Sequence, residues 1–553
     1  MKEETKSLYF AVFVSILIIF GVNHFFAPKM PQKEVLKPEK KVEIPVEEAV
    51  LQEATSPKNV DEIVSSEARA LLKNGSLDGS VRLKGARFDF LRLIKYKQTL
   101  EENSPDVELF APAGSPHPYF AEFGFLSSEN ISLPNADTLW TVKGDVLTQT
   151  SPLTLEWTNA QGLKFVRKIS IDEHYLLTID QTVENNTNHA VILYPYGRIW
   201  RDFGDSASSQ SVVHEGVTAV IDGALKEFKL KDIKEGEPKT FETKEAWAGF
   251  SDRYWFSAII LDTSDNNTLK FSKSGEKAYQ IDYMGAPISV AAGGVGRDTV
   301  RLFAGAKEIK LLDRYAKKGG IKKFDLAIDF GWYYFLTKPF FYILDFLYKL
   351  IGNMGWAILV FAALLRLLLF PIANKSYESM SKMRKIQPKV QEIQQKYHSD
   401  KVLLQQKTME LYKKEKINPA SGCLPMFIQI PIFFSLYKVL NIAIEIRHAP
   451  FVGWIKDLSA PDPLTISVWS HIPLPAVLDI GVWPILMGLT MWFQQKLNPA
   501  PANKDQARMF ALMPFIFTIM LGHFASGLVI YWTLSNILSI VQQRAIMYKN
   551  GVK

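Results

Sequence analysis

The chain has 553 residues, with 64 Lys and Arg against 57 Asp and Glu, a net charge of +7 and 47% hydrophobic residues. This length suits two or three domains, and the net charge is modest and unevenly placed, so the total by itself does not imply a nucleic-acid-binding surface. The single cysteine, Cys423, excludes an internal disulfide and a cysteine-based metal site. Apolar residues are concentrated in the C-terminal third, so the average composition combines a polar soluble part with a membrane part.

The first apolar run is Leu8–Phe26, preceded by Lys2 and Lys6. It is longer than the core of a cleaved signal peptide, and no small-residue cleavage site follows it closely. We therefore expect residues 1–27 to form an uncleaved signal anchor that crosses the membrane. Residues 28–56 are rich in Pro, Lys, Glu and Val and have no apolar period, which predicts a linker.

Residues 57–328 have a strand-like pattern of alternating apolar and polar residues. Leu153–Trp157 and Leu163–Ser170 flank an Asn-Ala-Gln-Gly turn and predict a β-hairpin. Tyr175–Val183 and Ala190–Tyr194 predict a second hairpin in the same way. The region therefore predicts a soluble, mostly antiparallel, all-β sandwich.

No catalytic or metal-binding pattern stands out in this sandwich. His117, His174, His189 and His214 lack the spacing of metal ligands, and the glycine run Gly293–Arg297 lacks the Lys-Ser/Thr of a phosphate-binding loop. We expect no metal, no cofactor and no enzymatic activity. A carbohydrate- or peptide-binding cleft stays open as an alternative, without any residue assigned to it.

Residues 329–350 predict an amphipathic helix lying at the membrane surface. The segment is aromatic, with Lys338, Asp345 and Lys349 interrupting its apolar positions, and Thr337-Lys338-Pro339 suits a helix start. A buried helix of the sandwich is the alternative.

Met354–Ala373 predicts a bilayer-spanning helix, since it has twenty residues and a single charge, Arg366. Placing a guanidinium near mid-membrane costs from about 3 to over 10 kcal/mol. One interpretation is that the side chain snorkels toward the interface near Asn374. The other is that it faces a polar partner or a water-filled cavity.

The segment from Asn374 to Cys423 has eleven Lys and Arg against five acids, and this excess predicts a cytoplasmic location. Within it, residues 384–416 predict a helical hairpin, with helices through about Tyr397 and over 400–416. Four further spans are predicted, at Leu424–Ile444, about Ile480–Gln495, Met509–His523 and Gly527–Val541.

The predicted fold is an α-helical polytopic membrane protein of six spans, with an exported sandwich. Five of the spans lie in a helical core over 351–548, which also contains the hairpin. Both termini are expected in the cytoplasm, including a short tail at 549–553, and residues 28–350 in the periplasm.

Several motifs of the C-terminal half resemble those of the YidC/Oxa/Alb family of membrane protein insertases, in the Gram-negative form that has a large periplasmic domain. The motifs run in order through Arg366, Phe370-Pro371, Ser379–Arg384, Gln387–Lys389, Lys416–Pro419, Gly422–Pro425, Gln429–Phe433, Arg447–Phe451, Trp454, Asp457–Ser459, Ser526–Trp532 and Ser535-Asn536. Two departures are the connection Pro461–Gly481, which is longer and richer in Pro and Trp than is usual, and His523 at a tip that is usually hydrophobic.

The resemblance implies an insertase and chaperone of the inner membrane that acts alone or with the Sec translocon. Its implied partners are nascent integral membrane proteins, the lipid bilayer, the Sec translocon, and a ribosome bound by the basic hairpin. The predicted spans contain no Asp or Glu, so Arg366 needs neutral partners or water. The implied hydrophilic groove consists of Arg366, Gln429, Thr518, Tyr531, Ser535 and Asn536. The implied hydrophobic slide consists of Pro425, Phe427, Ile430, Pro431, Phe433, Phe515, Ile519 and Trp532.

Two other classes of protein fit a six-span chain with an exported domain. An ion-coupled secondary transporter needs carboxylates within its spans, and the predicted spans have none. A membrane-tethered periplasmic binding protein or enzyme needs a binding or catalytic constellation in residues 57–328, where none is apparent.

Overall fold

The computed structural model describes residues 58–205, 213–261, 265–397, 400–415, 417, 424–498 and 504–551. The predicted anchor at residues 1–27 and the linker at 28–56 lie outside this description, as does Cys423. The side chain of Pro425 is also outside it.

Twenty strands form two antiparallel-dominated sheets in the described part of the sandwich. They are β1 Arg69–Lys73, β2 Leu77–Arg82, β3 Phe88–Lys97, β4 Asp106–Phe110, β5 Tyr119–Leu126, β6 Thr141–Lys143, β7 Val146–Leu147, β8 Leu153–Thr158, β9 Leu163–Ile171, β10 Leu176–Asn185, β11 Val191–Asp202, β12 Gly216–Ile221, β13 Ala224–Lys229, β14 Lys239–Thr243, β15 Ala246–Ser251, β16 Trp255–Leu261, β17 Asn267–Lys273, β18 Ala278–Met284, β19 Ile288–Val290 and β20 Val295–Ala306. One sheet has the order β14-β17-β18-β11-β5-β3-β2-β1-β7, with β19 beside β11 and β4 beside β3. The other has the order β13-β12-β15-β16-β20-β10-β9-β8-β6.

The alternation read from the sequence places one face of each strand in the core between the sheets. On β9, Leu163, Phe165, Ile169 and Ile171 are buried, while the residues between them are partly or fully exposed. Burying an aliphatic or aromatic side chain of this size contributes roughly 2 kcal/mol. This repeated burial stabilises the sandwich without a disulfide.

One of the two predicted hairpins is correct and the other is wrong. β8 and β9 pair antiparallel as predicted, with Leu153 opposite Ile169. β10 and β11, however, belong to different sheets: β10 pairs with β9 and β20, and β11 pairs with β5, β18 and β19. The turn between them crosses the sandwich, and Asn185 stabilises it by donating to the carbonyls of His189 and Val290.

The described helices are α1 Val60–Ser66, α2 Ile309–Lys317, α3 Tyr334–Ile351, α4 Met354–Lys385, α5 Gln387–Lys396, α6 Lys401–Lys414, α7 Leu424–Ile442, α8 Ile466–Ser470, α9 Val482–Leu497, α10 Lys504–Leu521 and α11 Ser526–Lys549. By length and composition, α4 alone among them can cross a membrane as a single long apolar helix. Phe427–Ile442 and Ala507–Leu521 are shorter apolar helical stretches.

Several helix boundaries differ from the prediction: α10 begins at Lys504 rather than at Met509, and α11 continues to Lys549 rather than ending at Val541. α3 begins at Tyr334 rather than at Thr337, because the amide and the hydroxyl of Thr337 both donate to Tyr333 O, which forms an additional turn before Pro339. α4 continues beyond the predicted span to Lys385 and includes Pro371. α5 and α6 lie where the two hairpin helices were predicted.

The sandwich contacts the helical core through polar side chains at one end of α7. Arg253 donates through Nε to Asn441 O at 2.7 Å and through Nη2 to Asn441 Oδ1 at 3.0 Å. Lys438 forms an ion pair with Asp329 at 2.5 Å. These contacts fix α7 against the sandwich.

Candidate functional site

The candidate site lies among helices that pack in a chain, α3 on α4 and α7, α4 on α11, α11 on α9, and α9 on α10. α11 is the most buried of these, and its buried polar residues include Ser535, Asn536, Ser539 and Gln542. A transmembrane-length helix with so many buried polar groups needs partners for them on its neighbours, because unpaired polar groups are costly in an apolar environment. The contacts of these groups define the site.

Arg366 is half-buried on α4 and faces α11. Its Nη2 donates to the backbone carbonyl of Ser535 at 3.0 Å. Its Nε is buried and has no hydrogen-bond partner among the described residues, and no ion pair with a described carboxylate involves this guanidinium. Arg366 is therefore a permanent cation held by a neutral carbonyl, with donor capacity left over.

The other groove residues pair with α11 at separate points. Gln429 of α7 donates to Tyr531 Oη at 3.2 Å. Asn536 donates to Thr490 Oγ1 of α9 at 3.1 Å, which places Asn536 at the packing contact between α9 and α11.

Thr518 makes its contacts within α10 and on α9. Its hydroxyl donates to Pro514 O of its own helix at 2.8 Å, and its side chain packs against Gly488 of α9. The structure thus brings together Arg366 with Ser535 and Gln429 with Tyr531, whereas Thr518 lies at the α9–α10 contact.

The predicted slide residues divide into an exposed and a packed group. Phe427, Ile430, Phe515 and Ile519 are exposed on α7 and α10. Phe433 and Trp532 instead pack on each other, with ring centroids 4.7 Å apart. Pro431 lies within α7 and is partly buried.

Thr490 is the residue near the site that the sequence does not single out, whereas Phe434 and Phe517 lie within the apolar stretches 425–434 and 513–520 that are expected to supply the slide. Phe517 of α10 packs on Trp532 at 5.9 Å, so the Trp532 ring lies between α7 and α10. Thr490 is the partner of Asn536, and Phe434 is exposed beside the slide residues of α7. Nothing in the sequence marks Thr490 as the partner of Asn536.

Comparisons with known proteins agree over nearly the whole chain. The profile of the 60Kd inner membrane protein family matches residues 346–552, and that of the YidC periplasmic domain matches residues 69–343. A membrane protein insertase YidC from Beijerinckia indica subsp. indica is 43% identical, over 100% of this chain and 97% of the relative. Another from Rickettsia bellii is 44% identical, over 98% of this chain and 99% of the relative.

Among solved structures, the chain is similar to one described as an active YidC insertase with the first transmembrane domain resolved. The two share 17% identity and a TM-score of 0.36, over 86% of this chain and 92% of that one. Full-length identity above 40% to named relatives decides the assignment. The chain belongs to the YidC family of membrane protein insertases.

Proposed function

We propose that this chain inserts integral membrane proteins by receiving the polar tail of each client at Arg366 and passing its apolar segment along α7 and α10. Relatives that match it end to end are named membrane protein insertases, and this chain is an insertase too, not a catalytic enzyme. Its substrates are nascent membrane proteins, and it acts in the lipid bilayer of the inner membrane. The transporter and tethered-binding-protein alternatives find no support in these relatives.

The observation that carries the proposed mechanism is the incomplete pairing of Arg366. Its Nη2 donates to Ser535 O, and its buried Nε has no partner in the described part of the chain. A cation in a low-dielectric setting attracts acidic or polar groups far more strongly than it would in water. An entering client tail supplies acceptors that the described residues do not provide.

The exposed faces of α7 and α10 support a path for the apolar part of the client. Phe427, Ile430, Phe515 and Ile519 present apolar side chains outward, where a transmembrane segment or lipid can contact them. No nucleotide-binding motif occurs in the sequence, so the driving force is transfer of the client's apolar surface into lipid, at roughly 25 cal/mol per Å². The groove lowers the barrier for the polar tail.

The proposed topology has six spans: the anchor at 8–26, and α4, α7, α9, α10 and α11. The basic segment at 374–423 supports a cytoplasmic hairpin, and the sandwich is then periplasmic with both termini inside. Protease added to spheroplasts is expected to digest the sandwich and spare the hairpin. Digestion of the hairpin with protection of the sandwich would contradict this topology.

The hairpin is also the proposed site of ribosome contact. α5 and α6 present Lys389, Lys396, Lys407 and Lys413 around a small apolar contact, and such a basic surface suits ribosomal RNA. The Sec translocon is a further proposed partner, alongside independent insertion.

The test of the proposed mechanism varies the charge of Arg366 and of one client together. Arg366→Ala is expected to slow insertion of a client with an acidic tail by about tenfold, which corresponds to losing about 1.4 kcal/mol of barrier lowering. Arg366→Lys keeps the charge but loses the planar donor fork, so insertion is expected to be partly retained. Clients with a short apolar tail are expected to be least affected.

The measurement is insertion into vesicles that contain equal amounts of folded wild-type or variant protein. Arg544→Ala, which removes an exposed cation from α11, is the matched control and is expected to insert both tails as the wild type does. If Arg366→Ala slows acidic and neutral tails by the same factor, Arg366 has a structural role and the charge mechanism is wrong.

A further inference from the structure

The connection between α7 and α9 contains a closed loop, residues 463–478, which we call the apolar loop. Its two ends are joined because Ile466 N donates to Ile480 O at 3.0 Å and Val482 N donates to Leu464 O at 3.2 Å. The short helix α8 lies within it. The apolar loop therefore projects as one unit from the start of α9.

The apolar loop contains no Asp, Glu, Lys or Arg; the nearest carboxylates, Asp462 and Asp479, lie at its base. Asp462 accepts from Trp454 Nε1 at 2.9 Å and from Trp483 N at 2.8 Å. Asp479 accepts from Ser467 N at 2.9 Å. Both carboxylates are thus hydrogen-bonded within the base, and the only titratable side chain of the loop itself is His471, which is exposed.

The tip exposes large apolar side chains. Trp469 is 55% exposed, Ile472 is 60% exposed and Val477 is 65% exposed, and Val468 and Leu478 extend the patch. Soluble surfaces rarely keep such residues together without a partner, and a contiguous apolar patch marks an interaction site.

The position of the apolar loop indicates which partner covers it. His523, just beyond the end of α10, has its Nε2 2.7 Å from Ala476 O, so the loop lies at the end of the α9–α10 pair. α9 has 16 residues, which span about 24 Å, and the bilayer core is about 30 Å thick. The apolar surface of these helices is too short for the hydrocarbon layer, and the loop extends it at that end.

We propose that the apolar loop inserts into the periplasmic leaflet of the lipid bilayer. Trp469 suits the interfacial level, where the amphipathic indole ring is favoured, and Ile472 and Val477 reach the upper acyl chains. The absence of Asp, Glu, Lys and Arg from the loop fits lipid and disfavours a polar protein partner, and a histidine such as His471 suits the headgroup level. This inference rests on the proposed spanning of α9 and α10.

The test places one fluorescent label at a time on an introduced cysteine, in a Cys423→Ser background, in lipid vesicles. Ile472→Cys and Val477→Cys report on the tip, so that failure of one to fold leaves the other. Leu139→Cys, at a 64% exposed site of the sandwich, is the water-exposed control. Phe515→Cys, at a 61% exposed site of α10, is the control within the proposed span.

Labels at the tip are expected to be quenched several-fold more by lipids with a doxyl group near the glycerol than the Leu139→Cys label, and several-fold less by iodide. The inference would be overturned if iodide quenched the tip labels as strongly as the Leu139→Cys label while doxyl lipid quenched the Phe515→Cys label. That result would still be consistent with the proposed spanning of α10. Tip labels shielded from both quenchers would show a protein partner, which also overturns it. A label at Phe515 that behaves as at Leu139 would instead refute the spanning of α10.

Discussion

The stability of the junction between the sandwich and α7 is expected to depend on pH through Glu445. This residue lies in a short turn just after α7, and its Oε1 accepts from Ile309 N, at the start of α2, at 3.3 Å. Its Oε2 is buried and has no hydrogen-bond partner in the part of the chain that the structure describes. Burial, together with the nearby carboxylates of Glu308 and Asp345, raises the pKa of Glu445 to about 7.

The sign of the effect follows from proton binding. Between pH 4.5 and about 7, the folded protein holds a proton on Glu445 that the unfolded chain has released, so stability falls as pH rises through this range. A pKa rise from 4.5 to about 7 corresponds to at most about 3 kcal/mol, fully lost above pH 7. Glu445→Gln cannot ionise, so it is expected to lack this loss.

The assay is thermal unfolding of the purified protein in detergent, followed by tryptophan fluorescence from about pH 5 to about pH 8. The wild-type Tm is expected to fall over this range by roughly 5 °C more than that of Glu445→Gln. Glu101→Gln, which removes an exposed carboxylate of the sandwich, is the control and is expected to follow the wild type. Parallel curves for Glu445→Gln and the wild type would refute the reasoning.

Two further predictions concern packing in the core and at the junction. Gly488→Ala places a Cβ against Thr518 Oγ1 and is expected to lower the Tm, and Thr518→Ala in the same protein is expected to restore part of the loss; additive losses in the double variant would contradict this contact. Arg253→Ala removes both hydrogen bonds to Asn441, worth roughly 1.5–3 kcal/mol each. The weakened contact between the sandwich and α7 is expected to open more often, so limited proteolysis of the segments at this contact is expected to be faster. Arg253→Lys is expected not to restore the wild-type cleavage rate, because one ammonium lacks the planar fork; full restoration would contradict the bidentate geometry.

The sequence predicts the elements of the sandwich better than their partners. The alternation in β9 and the turn before it are local signals, and the β8–β9 hairpin follows from them. The same signals occur around Asn185–Asn188, yet β10 and β11 belong to different sheets. Both edges of β10 are taken by β9 and β20, and the distant strand β20 leaves no trace in the local pattern.

In the helical core, too, the sequence predicts the elements better than the contacts between them. Hydropathy predicts α7 and α9 to within about two residues, because apolar runs of this length are distinctive, but it misses the polar ends of α10 and α11 by five and eight residues. It does not show which side of α10 contacts which neighbour. The sequence assigns Thr518 to the groove but does not predict its contact with Gly488 of α9, where the missing side chain allows a close approach.

For Arg366, the sequence identifies the residue as unusual, and the structure supplies its surroundings. A snorkelling arginine would direct its guanidinium along the helix toward the interface, away from its neighbours. Instead Nη2 donates to Ser535 O, a carbonyl on the polar, buried face of α11, and Nε has no partner among the described residues. Since a purely structural arginine is stabilised by satisfying its donors, this partial pairing favours a functional charge. In the proposed mechanism, acceptors on a client offset the remaining cost of keeping that charge in an apolar helix.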